Sequence, residues 1–315
     1  MRHLIDPRDF SAEETAALLA LAQRIKQQPE AYANVAERKK LATLFYEPST
    51  RTRLSFEAAM LNLGGRTLGF PAEQVSSASK GESIADTVRV VGCYADIIAM
   101  RHPKEGAPLR ASQFSPVPIV NAGDGGHNHP SQTMLDLMTI LERKGRLDHL
   151  TIGFCGDLKF GRPVHSLVKK LSGRPGIRFC FISPEELRIP GYLAEEVLRP
   201  TETPFEETDS LEASLPTLDV LYMTRVQRER FFNEEDYVRL KDTYTLTREK
   251  LSAAPADMPV LHPLPRVGEI SLDVDDDPRA AYFDQVRNGV YMRMAILMAL
   301  LGLNDPLTGE KVIAC

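Results

Sequence analysis

Along most of this chain a short apolar run ends in a polar turn, and the turn opens a stretch with helical spacing. The runs are Leu41–Tyr46, Arg66–Phe70, Asp96–Met100, Val117–Val120, Leu150–Cys155, Ile177–Ile182, Leu218–Met223 and Met258–Leu261. Strands this short and this apolar are buried on both faces. Alternating with helices, they specify an α/β protein built on parallel sheet covered on both sides. The helical stretches carry their own signals. Ser11-Ala-Glu-Glu14 is a capping box ahead of Leu18, Leu21 and Ile25. Later faces are Leu54, Ala58 and Leu61; Ile84, Val88, Val91 and Ala95; Met134, Leu137, Met138 and Leu141; and Val164, Leu167, Val168 and Leu171. Residues 71–82 and Pro200–Asp209 lack periodicity and read as loops, the second as a surface connection. Arg279–Leu301 is a long apolar helix suited to docking into a core. A chain of 315 residues is long for one core, so two domains are expected.

Bulk properties exclude several classes. A net charge of −5 lacks the basic excess of a general nucleic-acid binder. No run is long enough to span a bilayer, and Met1–Pro7 has no signal-peptide core. Cys93, Cys155, Cys180 and Cys315 are scattered without a C-x-x-C pair, which argues against a disulfide framework or structural zinc. A cytoplasmic protein is expected.

The densest chemistry lies at Glu47-Pro-Ser-Thr-Arg-Thr-Arg53, between a strand and a helix start. Unpaired amides and the positive end of the helix dipole meet three hydroxyls and two guanidiniums there, which makes an anion site. An ordinary Ser/Thr cap needs one hydroxyl and no arginine. Strand ends at Arg101 and before His127–Gln132 fall on the same rim, where open α/β sheets bind ligands. Arg51, Arg53 and Arg101 thus suit a phosphate.

The second half repeats the arrangement with Arg162 and with Thr224-Arg225-Val226-Gln227, each after a strand. Two such arginines suit a substrate with two carboxylates. Gly153 to Gly161 follows a strand but lacks G-x-G-x-x-G spacing, which disfavours a dinucleotide enzyme. Asp124, His127 and His129 lie in a Gly-rich turn with nothing to fix three zinc ligands. The acidic run Asp273–Asp277 reads as a solvated loop. No nucleophile elbow or Cys–His pairing occurs, so the chemistry is electrostatic rather than covalent.

Taken together, Ser49-Thr-Arg-Thr-Arg53, Ser79-Lys-Gly-Glu82, Met100-Arg-His-Pro103, His129-Pro-Ser-Gln132, Gly156-Asp-Leu-Lys-Phe-Gly-Arg162, Met223-Thr-Arg-Val-Gln227 and His262-Pro-Leu-Pro265 resemble the aspartate and ornithine carbamoyltransferase family. The seven motifs cover nearly the whole chain in the family's order. His262-Pro-Leu-Pro265 in place of His-Cys-Leu-Pro, and the Thr-Arg-Val-Gln element, resemble the catalytic chain of the aspartate branch. Ser131 replaces the usual Thr, and Ser79 stands where many relatives have a second lysine.

The resemblance implies two similar domains. Residues 1–130 plus about 290–315 would bind carbamoyl phosphate and 131–289 aspartate, with the C-terminal helix packing back on the first. Ser49, Thr50, Arg51, Thr52 and Arg101 would hold the phosphate, and His129 with Thr52 and Arg101 would polarise the carbonyl. Gln132 and the backbone of Leu264 and Pro265, with a cis bond between them, would receive the carbamoyl amine. Lys80, Arg162, Arg225 and Gln227 would grip aspartate, with Ser76 and Lys80 supplied by a neighbouring chain of a homotrimer. The resemblance leaves both readings of the trimer open, with and without regulatory chains; no cofactor or metal is implied. The rival readings are a carbamoyltransferase for ornithine or a related amine, and a catalytically silent relative.

Overall fold

The computed structural model describes residues 1–70, 81–226 and 244–313. The chain divides into two compact units, Met1–Met138 with Arg287–Cys315, and Thr139–Val286.

The first unit is built on a parallel sheet of β1 (Lys40–Phe45), β2 (Arg66–Phe70), β3 (Ile97–His102) and β4 (Ile119–Asp124), in the order β2-β1-β3-β4. The helix α1 (Ala12–Gln27) starts at the capping box and buries Leu18, Leu21 and Ile25 completely. After β1 comes α2 (Thr50–Asn62), and after β2 comes α3 (Ile84–Val91). A short α4 (Ala107–Ser112) precedes β4, and α5 (Pro130–Lys144) follows it. β3 and β4 run past the apolar cores read from sequence, through Arg101, His102, Asn121 and Asp124. These polar residues are buried and hydrogen-bonded, which lets the ladder continue.

One helix face differs from its sequence reading. On α2 it is Phe56, Ala59 and Met60 that are buried, whereas Leu54 and Leu61 are each 57% exposed. Two stripes of α2 have helical spacing, and the bulkier one, with its aromatic ring, took the core side.

The C-terminal helix, Tyr282–Leu300, begins in the second unit and ends in the first. There Met292 and Met294–Ala299 are buried. It packs against α1, with Lys26 donating to Asn288 Oδ1 at 3.0 Å, and Arg24 pairs with Asp305 in the tail beyond.

The second unit's parallel sheet contains β5 (Thr151–Cys155), β6 (Arg178–Ile182), β7 (Phe205–Thr208), β8 (Val220–Met223) and β9 (Val260–Leu261), in the order β7-β6-β5-β8-β9. Its helix α6 (Arg162–Leu171) buries Val164, Leu167, Val168 and Leu171 fully. Phe154 packs 5.6–5.8 Å from the rings of Phe179, Phe181 and Tyr222.

β7 corrects the expectation of a plain connection at Pro200–Asp209. Among the described residues it pairs only with β6, and an edge strand with one wet face tolerates Glu206 and Glu207. The acidic run is also not solvated throughout. Asp275 pairs with Arg266, and Asp277 is buried against Arg279 at 2.8 Å.

Candidate active site

Each sheet has one point where the chain reverses its direction of strand addition, between β1 and β3 in the first unit and between β5 and β8 in the second. Loops leaving neighbouring strands there diverge and leave a crevice at the carboxyl ends. Of the residues singled out in the sequence, Ser49–Thr52 and Arg101 follow or lie on the strands at the first point, and Arg162 and Arg225 follow those at the second.

In the first unit Ser49 is the N-cap of α2, but its side chain makes no capping bond, and the first turn contains no acidic residue. The amides at this helix start are therefore not answered by a Ser49 cap or an acidic side chain, which suits an anion. Thr50 and Arg51 are exposed and Thr52 is buried. Arg53 departs from its expected place. It donates to Glu57 Oε1 at 2.7 Å, one turn along its own helix. Glu57 also accepts from Thr43, so the carboxylate is fixed where Arg53 can reach it.

Arg101 lies next to the end of β3, opposite Phe45 of β1. Its Nη2 donates to Glu47 Oε1 at 2.6 Å, and Arg101 is only 9% exposed. Glu47 is thus the partner of a guanidinium across the switch point, a role that a carboxylate in a basic turn could have suggested. His129 and Gln132 come from the start of α5; His129 O accepts the Gln132 and Thr133 amides, and both side chains are nearly buried. Asp124, whose place beside His127 and His129 raised the question of a metal, is occupied otherwise. Its carboxylate accepts from Asn121, Gly106 and Asn128 and faces His127 at 3.2 Å. Among the described residues no group of three His, Cys, Asp or Glu side chains is arranged to hold a metal ion.

In the second unit Arg162 opens α6 after β5, and Arg225 follows β8. The two strands pair Cys155 with Met223, so these ends lie side by side. Just beyond them Gly156 has φ of +116°, and a Cβ there would lie 2.3 Å from the Thr224 carbonyl oxygen. Only glycine fits there.

The segment after β9 is held by a buried pair. His262 Nδ1 accepts the Leu264 amide at 2.8 Å, so the proton is on Nε2, which donates to Glu269 Oε1 at 2.7 Å. Burial pushes His262 below the ordinary imidazole range against the pull of Glu269. For Glu269 burial acts upward, but the bonds from His262 and backbone amides outweigh it and bring the carboxyl to about 2. A neutral imidazole on a carboxylate results. The Leu264–Pro265 bond is cis, as the resemblance implied. Glu269 was not singled out in the sequence, since a lone Glu seven residues from a His has no local signature. Ser76, Lys80 and Gln227 lie outside the described residues.

Hydroxyls, helix amides and an arginine at the strand ends of one unit, and two arginines at adjacent strand ends of the other, are the donors expected of a binder of a phosphate compound and of a dicarboxylate. Comparison with known proteins agrees. Residues 2–142 match the family model "Aspartate/ornithine carbamoyltransferase, carbamoyl-P binding domain", and residues 148–300 match "Aspartate/ornithine carbamoyltransferase, Asp/Orn binding domain". The chain belongs to the aspartate/ornithine carbamoyltransferase family.

It is 63% identical over 303 residues to the aspartate carbamoyltransferase catalytic subunit of Lachnoclostridium phytofermentans, covering 96% of this chain and 99% of that one. Its identity to the corresponding subunit of Clostridium kluyveri is 60% over 302 residues, with 96% and 98% covered. Among solved structures, the catalytic subunit of M. jannaschii aspartate transcarbamoylase matches with a TM-score of 0.88 at 47% identity, over 95% of this chain and 98% of that one. Aspartate transcarbamoylase from Trypanosoma cruzi, in complex with carbamoyl phosphate and aspartate, matches at 0.88 and 37%, over 94% and 95%.

Proposed function

We infer that this chain transfers the carbamoyl group of carbamoyl phosphate to the α-amino group of L-aspartate, giving N-carbamoyl-L-aspartate and phosphate. The observation that carries the reading is the aspartate-branch pattern, His262-Pro-Leu-Pro265 with two neighbouring strand-end arginines, on a chain 59–63% identical to aspartate-specific catalytic subunits. We place this reaction early in pyrimidine synthesis, as the resemblance implies.

The donors divide by unit. Ser49, Thr50, Arg51, Thr52 and the α2 amides bind the phosphate of carbamoyl phosphate. Arg101 spans phosphate and carbonyl oxygen, and His129 and Thr52 complete the polarisation of that carbonyl. Gln132 and the Leu264–Pro265 backbone receive the carbamoyl –NH2. Arg162, Arg225 and Gln227 bind the two aspartate carboxylates. The deprotonated α-amine attacks the carbonyl carbon, negative charge collects on the oxygen under Arg101, the C–O bond to phosphate breaks, and the amine proton leaves. No protein nucleophile takes part. The rate comes from orientation, which supplies roughly 7–11 kcal/mol, and from donors aimed at the oxyanion.

The chain works as a cytoplasmic homotrimer in which Ser76 and Lys80 serve the site of the adjacent subunit. A mixing experiment tests this. An Arg51→Ala and a Lys80→Ala variant, each inactive, regain activity on subunit exchange if sites are shared, and stay inactive if each site is self-contained. The activity itself is tested by assaying carbamoyl phosphate with aspartate and with ornithine. Turnover with ornithine and none with aspartate would overturn the assignment.

A further inference from the structure

Resting on the reading above, in which Gln132 receives the carbamoyl –NH2, the Gln132 amide has to present its oxygen to the substrate. A rotated amide would set –NH2 against –NH2. What holds the amide is one helical turn further along α5. Gln132 Nε2 lies 2.9 Å from Oδ1 of Asp136, which is completely buried. An ionised carboxylate can only accept, so the end of Gln132 that faces it is the nitrogen.

The charge on Asp136 has a counter-ion inside the same unit. Arg293, on the C-terminal helix, is fully enclosed; burial lowers its pKa to about 10, opposed by the attraction of Asp136, so it stays cationic at neutral pH. The guanidinium is anchored through Nη1, which donates to Ser55 Oγ at 3.0 Å and to Gly289 O at 3.1 Å. It also lies over the Phe56 ring at 4.9 Å. Gly289 makes room for it, because a Cβ there would sit 2.6 Å from Nη1. A long helix thus delivers a buried positive charge beneath α2 and α5, the two helices whose first turns carry the phosphate donors and Gln132.

We propose that Asp136 is a specificity-determining positioning residue. By fixing the Gln132 amide with its nitrogen inward, it leaves an acceptor oxygen for the acyl group and makes the site select an acyl phosphate bearing –NH2 over one bearing –CH3. The carboxylate does this without touching substrate.

The test uses two stable isosteres, phosphonoacetamide, which keeps the –NH2, and phosphonoacetone, in which a methyl replaces it. Calorimetry on the native assembly is expected to show an amide preference of roughly tenfold, the worth of one well-placed hydrogen bond with its unmet alternative. In Asp136→Asn the carboxamide turns its oxygen to the Arg293 cation and its –NH2 to Gln132, which forces the Gln132 amide to rotate. The preference then drops to about twofold or less. Adding Gln132→Glu to Asp136→Asn supplies an acceptor-only side chain and restores preference for the amide; charge effects cancel, since both probes are phosphonates. A merely structural Asp136 would weaken both probes alike.

An unchanged preference in a folded Asp136→Asn protein overturns the proposal, as does equal binding of the two probes by the unaltered protein. Should Asp136→Asn not fold, neutron diffraction of the unaltered protein decides. Deuterons on the Gln132 atom facing Asp136 support the assignment, and an oxygen there refutes it. Failure of the unaltered protein to bind either probe, or to carbamoylate aspartate, would strike the functional reading instead.

Discussion

In the first unit the chain reverses between β1 and β3, and in the second between β5 and β8, and at both places residues proposed to bind anions flank the reversal. The first crevice uses a helix N-terminus, hydroxyls and one guanidinium held by Glu47. The second uses two guanidiniums on adjacent strand ends. A phosphate gathers its oxygens on one centre, so convergent short-range donors suit it. A dicarboxylate spreads its charge over two ends, and two separate planar forks suit that better. In the proposed reading, shared topology sets where each ligand binds, and the side chains at the strand ends set which ligand it is.

Breaking the first crevice should have the largest effect. Arg101→Ala is expected to lower turnover by about 3–4 kcal/mol, a hundredfold or more, with the fold retained by circular dichroism. Near-normal turnover would remove the oxyanion role. The second crevice should respond through aspartate alone. Arg162→Ala and Arg225→Ala should each lower kcat/KM for aspartate by about 2 kcal/mol, roughly 30-fold, while phosphonoacetamide binding stays unchanged in calorimetry. Equal losses for both ligands would mean the two crevices are not separate in function.

A smaller effect is expected at the support of the 262–265 segment in the second unit. The Glu269 carboxyl lies near 2 in the folded chain against an ordinary value of 4.5, so it favours the fold above about pH 4.5. That stability is lost as pH falls towards 2. His262, buried neutral, acts in the same direction below its ordinary value of 6.5, because the unfolded chain takes up the proton more readily. Thermal unfolding followed from pH 7 down to 3 should therefore fall less steeply in Glu269→Gln than in the unaltered chain. Parallel curves would refute the pairing. The smallest effect belongs to Arg53→Ala, which removes a partly exposed i,i+4 pair with Glu57. Stability should change by less than about 0.5 kcal/mol and turnover by less than roughly twofold. A large loss would return Arg53 to the phosphate site, where its sequence position first suggested it.

Much of this was legible before any coordinates. Buried parallel strands announce themselves as short apolar runs, since both faces are covered and no alternation is needed. Helix-start chemistry is local as well, and so Ser49–Thr52, His129 and Arg162 could be read from neighbours a few residues away. β7 was harder to see, because an edge strand keeps a polar face and looks like a loop. The buried face of α2 was misread because two stripes compete and only the packing of Phe56 beneath Arg293 decides between them.

By itself the sequence determined the alternation of elements, the motifs at the strand ends and the family they belong to, all properties of contiguous residues. Tertiary structure alone decided which arginine turns back onto its own helix, which carboxylate meets Arg101, and that Glu269 and Arg293 stand behind the reactive segments. Some of those pairings join residues far apart in the chain, Arg101 and Glu47 by 54 positions and Arg293 and Ser55 by 238, and no local pattern encodes these. Their physical reason is burial: a charge taken out of water has to find its partner wherever the fold brings one.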